Sequence, residues 1–251
     1  MSPSKVEAFT RCELRWFLEH VGGTEAASSG QNIGLLVHAV AATAGAEGGA
    51  SEAELLRRFE ELAAAADLGR GWSARRSREQ AEEMVRRLAR WLAGNPRTLV
   101  GTELAFDTMT GRARLHGRVD RLEVDADGRA VVIDLKTSSA KAVEEDLPEH
   151  PQLGAYQLAV TAGAFGDEVP RRPGGAELVQ LGKGCLSGEA RPQRQKPLDG
   201  APDPTWAEQL VLRVAEGMAG AAFRAMDNKQ CHSCPARTSC PVQDDGRQVS
   251  P

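Results

Sequence analysis

Apolar residues near the start of the chain recur at intervals of three and four positions, the spacing typical of amphipathic helices. A stripe formed by Val6, Phe9 and Leu14 accompanies the sequence SKVE at residues 4–7, which fits a capping box. These residues predict a first helix with Cys12 inside it. After the Gly- and Ser-rich stretch GGTEAASSG, the segment IGLLVHAVAATAG predicts a second helix.

A third helical region is predicted from about Ser51 to Leu92, with an interruption at the Gly-containing stretch LGRGWS. The stretch AGNPRT then ends the helical pattern, because Gly, Asn and Pro favour turns. We therefore expect residues 1–95 to form a helical part of the fold.

Three later segments have the pattern typical of strands, namely LVGTELAFD, RARLHGRVDRLEV and RAVVIDLKT. The last two are joined by DADG, and an Asp-Gly pair is a strong signal for a hairpin turn. The three strands are thus expected to form a meander. EHPQLGAYQLAVTAG predicts a helix and AELVQLGKG a further strand, so residues 98–185 are the predicted sheet core of an α/β fold.

The C-terminal part begins with a polar stretch rich in Pro and Gly over residues 187–204, which predicts a loop. A final helix is predicted from about Thr205 to Met226, followed at once by the cysteine-rich segment CHSCPARTSC. Residues 203–240 hold this helix and the cysteines. Because the sequence shows no internal repeat, we expect residues 1–251 to form one domain.

The composition is that of an ordinary globular protein, with a formal net charge of −4. An anionic partner would therefore be held by local clusters of basic residues. No apolar run approaches the roughly 18 residues that a membrane span needs, and the start of the chain lacks the core of a signal peptide. We expect a cytoplasmic protein with no membrane partner. The phosphate-binding loop of ATP-driven motors is absent from the sequence.

The five cysteines favour metal or cofactor ligation over disulfide bonds, because three of them lie within residues 231–240 and their number is odd. The spacing Cys231, Cys234, Cys240 fits zinc nearly as well as an iron-sulfur cluster. His232 keeps open a zinc site made of these cysteines and a histidine. Cys185 fits no ligand spacing and is interpreted as a bystander.

The segment VVIDLKT is the predicted chemical centre. Because side chains alternate along a strand, Asp134 and Lys136 share one face while Ile133 and Leu135 share the other. The hairpin brings Asp120 toward Asp134, and two carboxylates with a lysine suit hydrolysis of a phosphodiester on Mg²⁺ or Mn²⁺. On spacing alone, an exposed strand end with a surface ion pair is the commoner explanation.

Several segments together resemble the RecB family of nucleases within the PD-(D/E)xK superfamily. They are, in chain order, FTRCELRWFLEH, GLLVH, TELAF, GRVDRLE, VVIDLKT, PQLGAYQLA and CHSCPARTSC. The chain is most similar to the iron-sulfur branch, and its start resembles that of the C-terminal nuclease domain of actinobacterial two-motor helicase-nucleases. The resemblance implies a mixed central sheet flanked by helices.

The resemblance also implies roles for individual residues. His38, Asp120 and Asp134 would bind the catalytic Mg²⁺ or Mn²⁺, and Lys136 would be the catalytic lysine. Gln152 and Tyr156 match the family's Gln-x-x-x-Tyr motif. Glu103 matches an acidic residue on the first strand and is a secondary candidate.

Each of these residues also has a simpler interpretation. His38 fits a packed histidine, and Gln152 fits a solvated residue of the first helical turn. Tyr156 fits a core aromatic residue with its hydroxyl at the surface. Glu103 is interpreted equally well as a charge on an edge strand.

For the cysteines, the resemblance implies a [4Fe-4S] cluster held by Cys12, Cys231, Cys234 and Cys240. Such a cluster would join the N- and C-terminal segments, and its loss would loosen both chain ends. The implied activity is that of a metal-dependent deoxyribonuclease in DNA end processing and recombinational repair. The expected substrate is single-stranded DNA ends cut exonucleolytically, with a helicase motor in the same or another chain as partner.

Two other functions stay open: a catalytically silent DNA-binding or scaffolding module, and a zinc-binding interaction domain. For DNA binding, the sequence offers Trp72 as a stacking platform and a track of arginines, which are Arg70, Arg75, Arg76, Arg78, Arg86, Arg87 and Arg90. The competing interpretation is a solvated helical face in which the charges are balanced by Glu79, Glu82 and Glu83.

Overall fold

A five-stranded mixed sheet lies at the centre of the computed structural model of this protein. Side by side, the strands are β1 (Thr98–Thr110), β2 (Ala113–Val124), β3 (Ala130–Lys136), β4 (Pro173–Gln180) and β5 (Arg191–Gln195). Neighbouring strands are antiparallel except β3 and β4, which are parallel. The structure describes residues 1–22, 29–45, 51–66, 71–138, 142–182 and 188–247.

The predicted meander is confirmed by the antiparallel pairing of β1, β2 and β3. In the turn between β2 and β3, Oδ1 of Asp125 accepts hydrogen bonds from the backbone N–H groups of Asp127 (3.0 Å) and Arg129 (2.9 Å). Gly128 adopts a φ of +71°, a left-handed conformation that favours glycine. This turn fixes the register that brings Asp120 to the end of β3.

Helices cover the N-terminal part of the chain, as predicted. They are α1 (Pro3–Arg11), α2 (Glu13–Val21), α3 (Ser29–Thr43), α4 (Glu52–Ala65) and α5 (Trp72–Ala93). Among the helices in the described ranges, none has both the length and the apolar character needed to cross a bilayer.

The first predicted helix is in fact two helices, so the placement of Cys12 inside a helix was wrong. The hydroxyl of Ser2, rather than that of Ser4, caps the backbone N–H of Lys5, and Pro3 begins the helix. Cys12 has an extended backbone, with φ −165° and ψ 112°, and separates α1 from α2. The break directs Cys12 toward the C-terminal segment, whose Met226 N–H lies 3.5 Å from its Sγ.

The remaining helices are α6 (Pro151–Thr161), α7 (Trp206–Met218) and the short α8 (Asp244–Arg247), with 3-10 turns at Glu144–Glu149, Leu198–Gly200, Cys231–Ser233 and Arg237–Ser239. The final helix ends at Met218 rather than Met226. Beyond it the chain lies along the start of α2, where the N–H of Leu14 donates to the carbonyl of Arg224 at 3.0 Å. Contact with a distant segment therefore replaces the predicted last helical turns.

The stretch predicted as a loop over residues 187–204 contains the edge strand β5, so that prediction was also wrong. Its inward side chains are Gln193 and Gln195, which are buried but polar. Nε2 of Gln195 donates to the carbonyl of Leu147 at 2.9 Å, and Oε1 of Gln195 accepts from Gln157 at 2.8 Å. The strand has no apolar alternation; hydrogen bonds of Nε2 of Gln193 and of both amide atoms of Gln195 to distant groups hold its inward side chains in place.

The sheet separates two hydrophobic cores. One face packs against α1, α6 and α7, and the other packs against α3, α4 and α5. Along β3, Val132 belongs to the first core, while Ile133 and Leu135 belong to the second. The alternation places Asp134 on the first face, under α6, as the sequence predicted.

Candidate active site

The end of β3 carries a buried carboxylate that is held by α6. Oδ1 of Asp134 accepts hydrogen bonds from Nε2 of Gln152 (2.7 Å) and from the hydroxyl of Tyr156 (3.0 Å). Gln152 and Tyr156 lie one helical turn apart, so both face the strand. Nζ of Lys136 donates to Oε1 of Gln152 at 2.9 Å. Gln152 thus bridges the acid and the lysine of the Asp-x-Lys sequence.

Three simpler interpretations from the sequence are wrong at these positions. Asp134 is 5% exposed, so it does not belong to a surface ion pair at an exposed strand end. Gln152 is only 2% exposed and is not a solvated residue of the first turn. The hydroxyl of Tyr156 contacts the buried Asp134 instead of solvent.

Asp120 links the first face of the sheet to the helical part of the chain. Its Oδ1 lies 3.2 Å from Nδ1 of His38 on α3, and its Oδ2 accepts the backbone N–H of Leu135 at 2.6 Å. The carboxylate of Asp120 therefore has fixed positions for both oxygens. The structure brings His38 and Asp120 together across more than eighty residues of sequence.

Glu103 on β1 has an unusual backbone conformation. Its φ of +51° is left-handed, which is costly for a residue with a Cβ and is often found at functional sites. The ligand atoms of His38, Glu103 and Asp120 all lie within 4.8 Å of one another. Glu103 is thus turned toward the other two residues, although Nη1 of Arg118 also lies 3.4 Å from its Oε2.

This group differs from the predicted set of His38, Asp120 and Asp134. Among the described residues, Glu103 completes the close group with His38 and Asp120. Asp134 is not part of this group, and its Oδ1 is held by Gln152 of α6. Oδ2 of Asp134 is buried, and its partner is the ammonium group of Lys136, whose Nζ lies 2.7 Å away. Three acids, an imidazole and a lysine in this part of the fold fit a site for a divalent cation.

The charges of this site raise the pKa of His38. Burial lowers that pKa, but the hydrogen bond to Asp120 and the negative charges of Asp120, Asp134 and Glu103 outweigh the effect of burial. The imidazole therefore keeps its proton to a higher pH than an ordinary histidine.

Burial raises the pKa of Asp134, and the charge of Asp120 adds to the effect, while Lys136 and Tyr156 oppose it. Burial also raises the pKa of Tyr156, with a further contribution from the charge of Asp134. Tyr156 therefore keeps its proton at neutral pH and acts as a hydrogen-bond donor to the carboxylate. The site as a whole concentrates negative charge that a cation would balance.

A sequence model of the PD-(D/E)XK nuclease superfamily matches residues 1–241. The chain belongs to the PD-(D/E)XK nuclease superfamily. Members of this superfamily are generally nucleases that depend on a divalent metal ion, Mg²⁺ or Mn²⁺. In this member, the sequence Asp134-Leu135-Lys136 fits the (D/E)XK part of the superfamily's name.

A solved structure described as "Crystal structure of SSO0001" is similar in fold to this chain, at 16% sequence identity and a TM-score of 0.42. The alignment covers 97% of the present chain and 86% of the chain in that structure. A search of curated proteins found no match.

A cleft of about 1190 Å³ that the sequence did not reveal borders the site at Lys136. Its wall includes Lys136, the polar residues Thr10 and Arg11 of α1, and Gln180 at the end of β4. Gln180 pairs in register with Lys136, so the two side chains end neighbouring parallel strands. In the sequence, the signal for this position was the polar residue Gln180 at the end of the strand segment AELVQ.

The four cysteines predicted to hold a cluster line one pocket: Cys12, Cys231, Cys234 and Cys240. No three of their sulfur atoms lie within 4.8 Å of one another. Four thiolates on one Zn²⁺, with Zn–S bonds of about 2.3 Å, have sulfur atoms about 3.8 Å apart. In this structure the four sulfur atoms therefore do not have the spacing of a single-zinc site.

Backbone N–H groups point at two of these sulfur atoms, from Met226 to Cys12 (3.5 Å) and from Asn228 to Cys231 (3.3 Å). His232 faces elsewhere: it lines the cleft beside Lys136, and its Nδ1 lies 2.8 Å from the carbonyl of Lys229. In this structure His232 therefore does not join the three cysteines, and the zinc site stays a prediction. Cys185 lies outside the described residues.

Most arginines of the predicted DNA-binding track form ion pairs with glutamates. This outcome agrees with the competing interpretation of a solvated helical face with balanced charges. The paired arginines are Arg78 with Glu60, Arg86 with Glu82, Arg87 with Glu83 and Arg90 with Glu189. Arg70 lies outside the described residues. Arg75 and Arg76 contact no acidic side chain in the part of the chain that the structure describes, and both are exposed beside Trp72.

Proposed function

We propose that this protein is a divalent-metal-dependent deoxyribonuclease that hydrolyses phosphodiester bonds. The observation that carries the proposal is the close group of His38, Glu103 and Asp120 beside the Asp134–Lys136 pair. Membership of the PD-(D/E)XK nuclease superfamily supports the same chemistry.

The residues that would hold Mg²⁺ or Mn²⁺ are His38, Glu103, Asp120 and Asp134. When bound, such an ion polarises a phosphate group and lowers the pKa of a coordinated water. The carboxylate oxygens are ligands that hard divalent cations prefer.

The role of the chain's own groups follows from their contacts. Gln152 holds the ammonium group of Lys136 at the edge of the cleft, where its positive charge stabilises negative charge that develops on a phosphate oxygen. Gln152 and Tyr156 both donate to Asp134 and so fix the direction of its carboxylate. We assign Gln152 and Tyr156 to positioning and Lys136 to catalysis.

The proposed substrate is single-stranded DNA cut from an end, in DNA end processing and recombinational repair in the cytoplasm. We propose a helicase motor, in the same or another chain, as the partner that supplies single strands. We also assign the chain to the iron-sulfur branch of RecB-like nucleases, similar to the nuclease domain of actinobacterial two-motor helicase-nucleases. In this proposal residues 1–251 act as one domain, with a helical part at 1–95, a sheet core at 98–185 and a cysteine-bearing end at 203–240.

The proposed cofactor of that end is a [4Fe-4S] cluster held by Cys12, Cys231, Cys234 and Cys240. The common pocket and the N–H groups directed at sulfur support it. Iron and sulfide analysis of anaerobically purified protein tests it: we expect about four of each per chain. Stoichiometric zinc in colourless protein would instead favour the zinc-binding interaction domain.

The nuclease proposal is tested with end-labelled single-stranded DNA in Mn²⁺ or Mg²⁺. We expect the wild type to degrade it and Asp134→Asn and Lys136→Gln to lose activity by at least about a hundredfold, because charged groups of the site are removed. Asp107→Asn makes the same chemical change at an exposed position on β1 and should keep wild-type activity. Equal activity of wild type and Asp134→Asn would exclude the assigned site.

A wild type that binds DNA without degrading it in either metal ion would favour the catalytically silent module. Adding chelator to the active wild type should stop degradation, and restoring Mn²⁺ should recover it.

A further inference from the structure

We propose that the N-terminal half of α5 is a binding surface for single-stranded DNA outside the catalytic site. We call it the α5 surface and define it by Trp72, Arg75, Arg76 and Glu79. In this proposal a base stacks on Trp72, and the two arginines contact phosphates. The inference rests on the proposed nuclease function, because it identifies where the substrate strand lies beyond the point of cleavage.

Trp72 is the first reason for the proposal. Trp72 begins α5 and is 69% exposed, which is unusual for a large aromatic residue that is highly buried on average. The guanidinium carbon of Arg76 lies 5.5 Å from the centre of the indole ring. Exposed aromatic rings with arginines beside them are what single-strand binding proteins use, since every base has a face that can stack.

The charges of the α5 surface are the second reason. Arg75 and Arg76 are exposed and have no acidic partner among the described residues, whereas the arginines further along α5 are paired. Glu79 also lines the surface, and it too has no basic partner in the ranges that the structure describes. Two positive charges thus face one negative charge, which leaves the surface locally basic on a chain of net charge −4.

The third reason is the position of the surface relative to the catalytic site. A groove of about 560 Å³ runs along α5 from Trp72 to Arg87, a distance of about 22 Å for fifteen residues of helix. At its inner end, Nη1 of Arg87 donates to the carbonyl of Gly182 at 2.9 Å. The backbone of Gly182 lies against the carbonyl of Ser138, two residues after Lys136. The groove therefore ends near the C-terminal ends of the inner strands β3 and β4, where the proposed catalytic lysine lies.

Binding is measured by fluorescence anisotropy with the full chain in excess chelator, so that no strand is cut. The probes are a labelled single-stranded oligothymidylate and a labelled blunt duplex. Trp72→Ala should raise the Kd for the single strand by about 5- to 100-fold, while Trp72→Phe should retain most of the affinity. The duplex should lose less affinity, because its bases are already stacked.

The charged residues give a second, independent set of outcomes. Arg75→Gln with Arg76→Gln should weaken binding and make the dependence of log K on log salt shallower by about 0.7 per arginine removed. Glu79→Gln should tighten binding, a gain that a misfolded variant does not produce. Arg114→Gln, which removes an exposed arginine from β2, is the matched control and should bind like the wild type.

Single-strand affinity unchanged by Trp72→Ala and by the double arginine variant would overturn the α5 surface. So would an equal loss of affinity for single strand and duplex in Trp72→Ala. The test is separate from the nuclease assay, because binding is measured without divalent metal ions. A chain that never cuts DNA but binds it through Trp72 contradicts the proposed function alone, and an active nuclease with Trp72-independent binding contradicts the α5 surface alone.

Discussion

The backbone N–H of Leu135 donates a 2.6 Å hydrogen bond to Oδ2 of Asp120. Arg121 and Ile133 are the last residues that pair between β2 and β3 on this side. Beyond them, the side chain of Asp120 satisfies the N–H group between the two functional residues of the Asp-x-Lys sequence. Asp120 therefore has a structural and a chemical role, and two substitutions can separate them.

We predict that Asp120→Ala loses both stability and nuclease activity, whereas Asp120→Asn loses activity only. Alanine leaves the N–H of Leu135 without a partner, which should lower the free energy of unfolding by about 1–3 kcal/mol. The amide oxygen of asparagine can still accept this hydrogen bond, but it carries no charge to hold a cation. Urea denaturation and the end-labelled DNA assay measure the two effects, and equal stability of the two variants would contradict the structural role.

The left-handed backbone at Glu103 predicts that a glycine at this position stabilises the fold relative to alanine, although either substitution removes the carboxylate. Glu103→Gly should unfold with a free energy about 1 kcal/mol greater than Glu103→Ala, because glycine tolerates a φ of +51° and alanine does not. Both variants should lose metal-dependent activity, since both lack the carboxylate. Urea denaturation compares them, and a glycine variant less stable than the alanine variant would show that the conformation carries no strain.

A buried group of charges at the far end of the sheet should be important for stability. Glu123 is fully buried and contacts Arg97, Arg121 and Asn95, the last through a 2.7 Å hydrogen bond. Glu123→Gln should lower the free energy of unfolding by about 3–5 kcal/mol, because it leaves the guanidinium group of Arg121 without a counter-charge, while Arg97 keeps Glu177.

The matched control is Glu54→Gln on α4, which removes an exposed partner of Arg57 and should leave the denaturation midpoint unchanged. A Glu123→Gln variant as stable as this control would show that solvent already screens the buried group.

His150 should contribute to the loss of stability in acid. Burial lowers its pKa below the ordinary value of 6.5, with smaller opposing effects from nearby charges, and its Nδ1 makes no hydrogen bond. The unfolded chain takes up the proton at the ordinary pKa and the folded chain only at a lower pH. This contribution is therefore fully present above pH 6.5 and is lost as the pH falls from there through the lowered value.

The free energy of unfolding of His150→Gln should fall less between neutral pH and pH 5 than that of the wild type. His116→Gln, at an exposed position on β2, should follow the wild-type curve. Parallel curves for all three proteins would contradict a role for His150.

The cysteine-bearing end has a second attachment that does not depend on a cluster. The rings of Phe17 and Phe223 stack with centroids 4.3 Å apart, next to the backbone hydrogen bond between Leu14 and Arg224. In Cys12→Ser we expect trypsin to cut rapidly after Lys229, because the proposed cluster would no longer order the cysteine loop. Cleavage after Arg224 should become rapid only when Phe223→Ala is added, as mass spectrometry of the fragments would show.

Early cleavage after Arg224 in Cys12→Ser alone would mean that the cluster holds the whole segment. Phe165→Ala, which removes a partly buried phenylalanine from a different part of the first core, controls for general loss of packing.

Features that depend on short-range patterns could be predicted from the sequence. The alternation in VVIDLKT placed Asp134 and Lys136 on one face, and the DADG turn set the pairing of β2 with β3. The four-residue spacing placed Gln152 and Tyr156 on one side of α6. In each case neighbouring residues fix the geometry, so no distant contact can change it.

Features that depend on contacts between distant segments could not be predicted. Strand β5 forms because Gln193 and Gln195 find partners elsewhere in the chain, and α7 ends early because residues near Arg224 pair with α2. No periodicity signals a left-handed glutamate, so the part of Glu103 in the close group with His38 and Asp120 appears only in three dimensions.

The sequence by itself determined that β1 to β4 form, that Asp134 and Lys136 share a face and that α6 follows them, because backbone periodicity and turn chemistry act within a few residues. The tertiary structure decided which ligand atoms meet, and which arginines of α5 have acidic partners among the described residues. Those outcomes depend on packing and charge balance between segments far apart in the chain, where no local pattern records them.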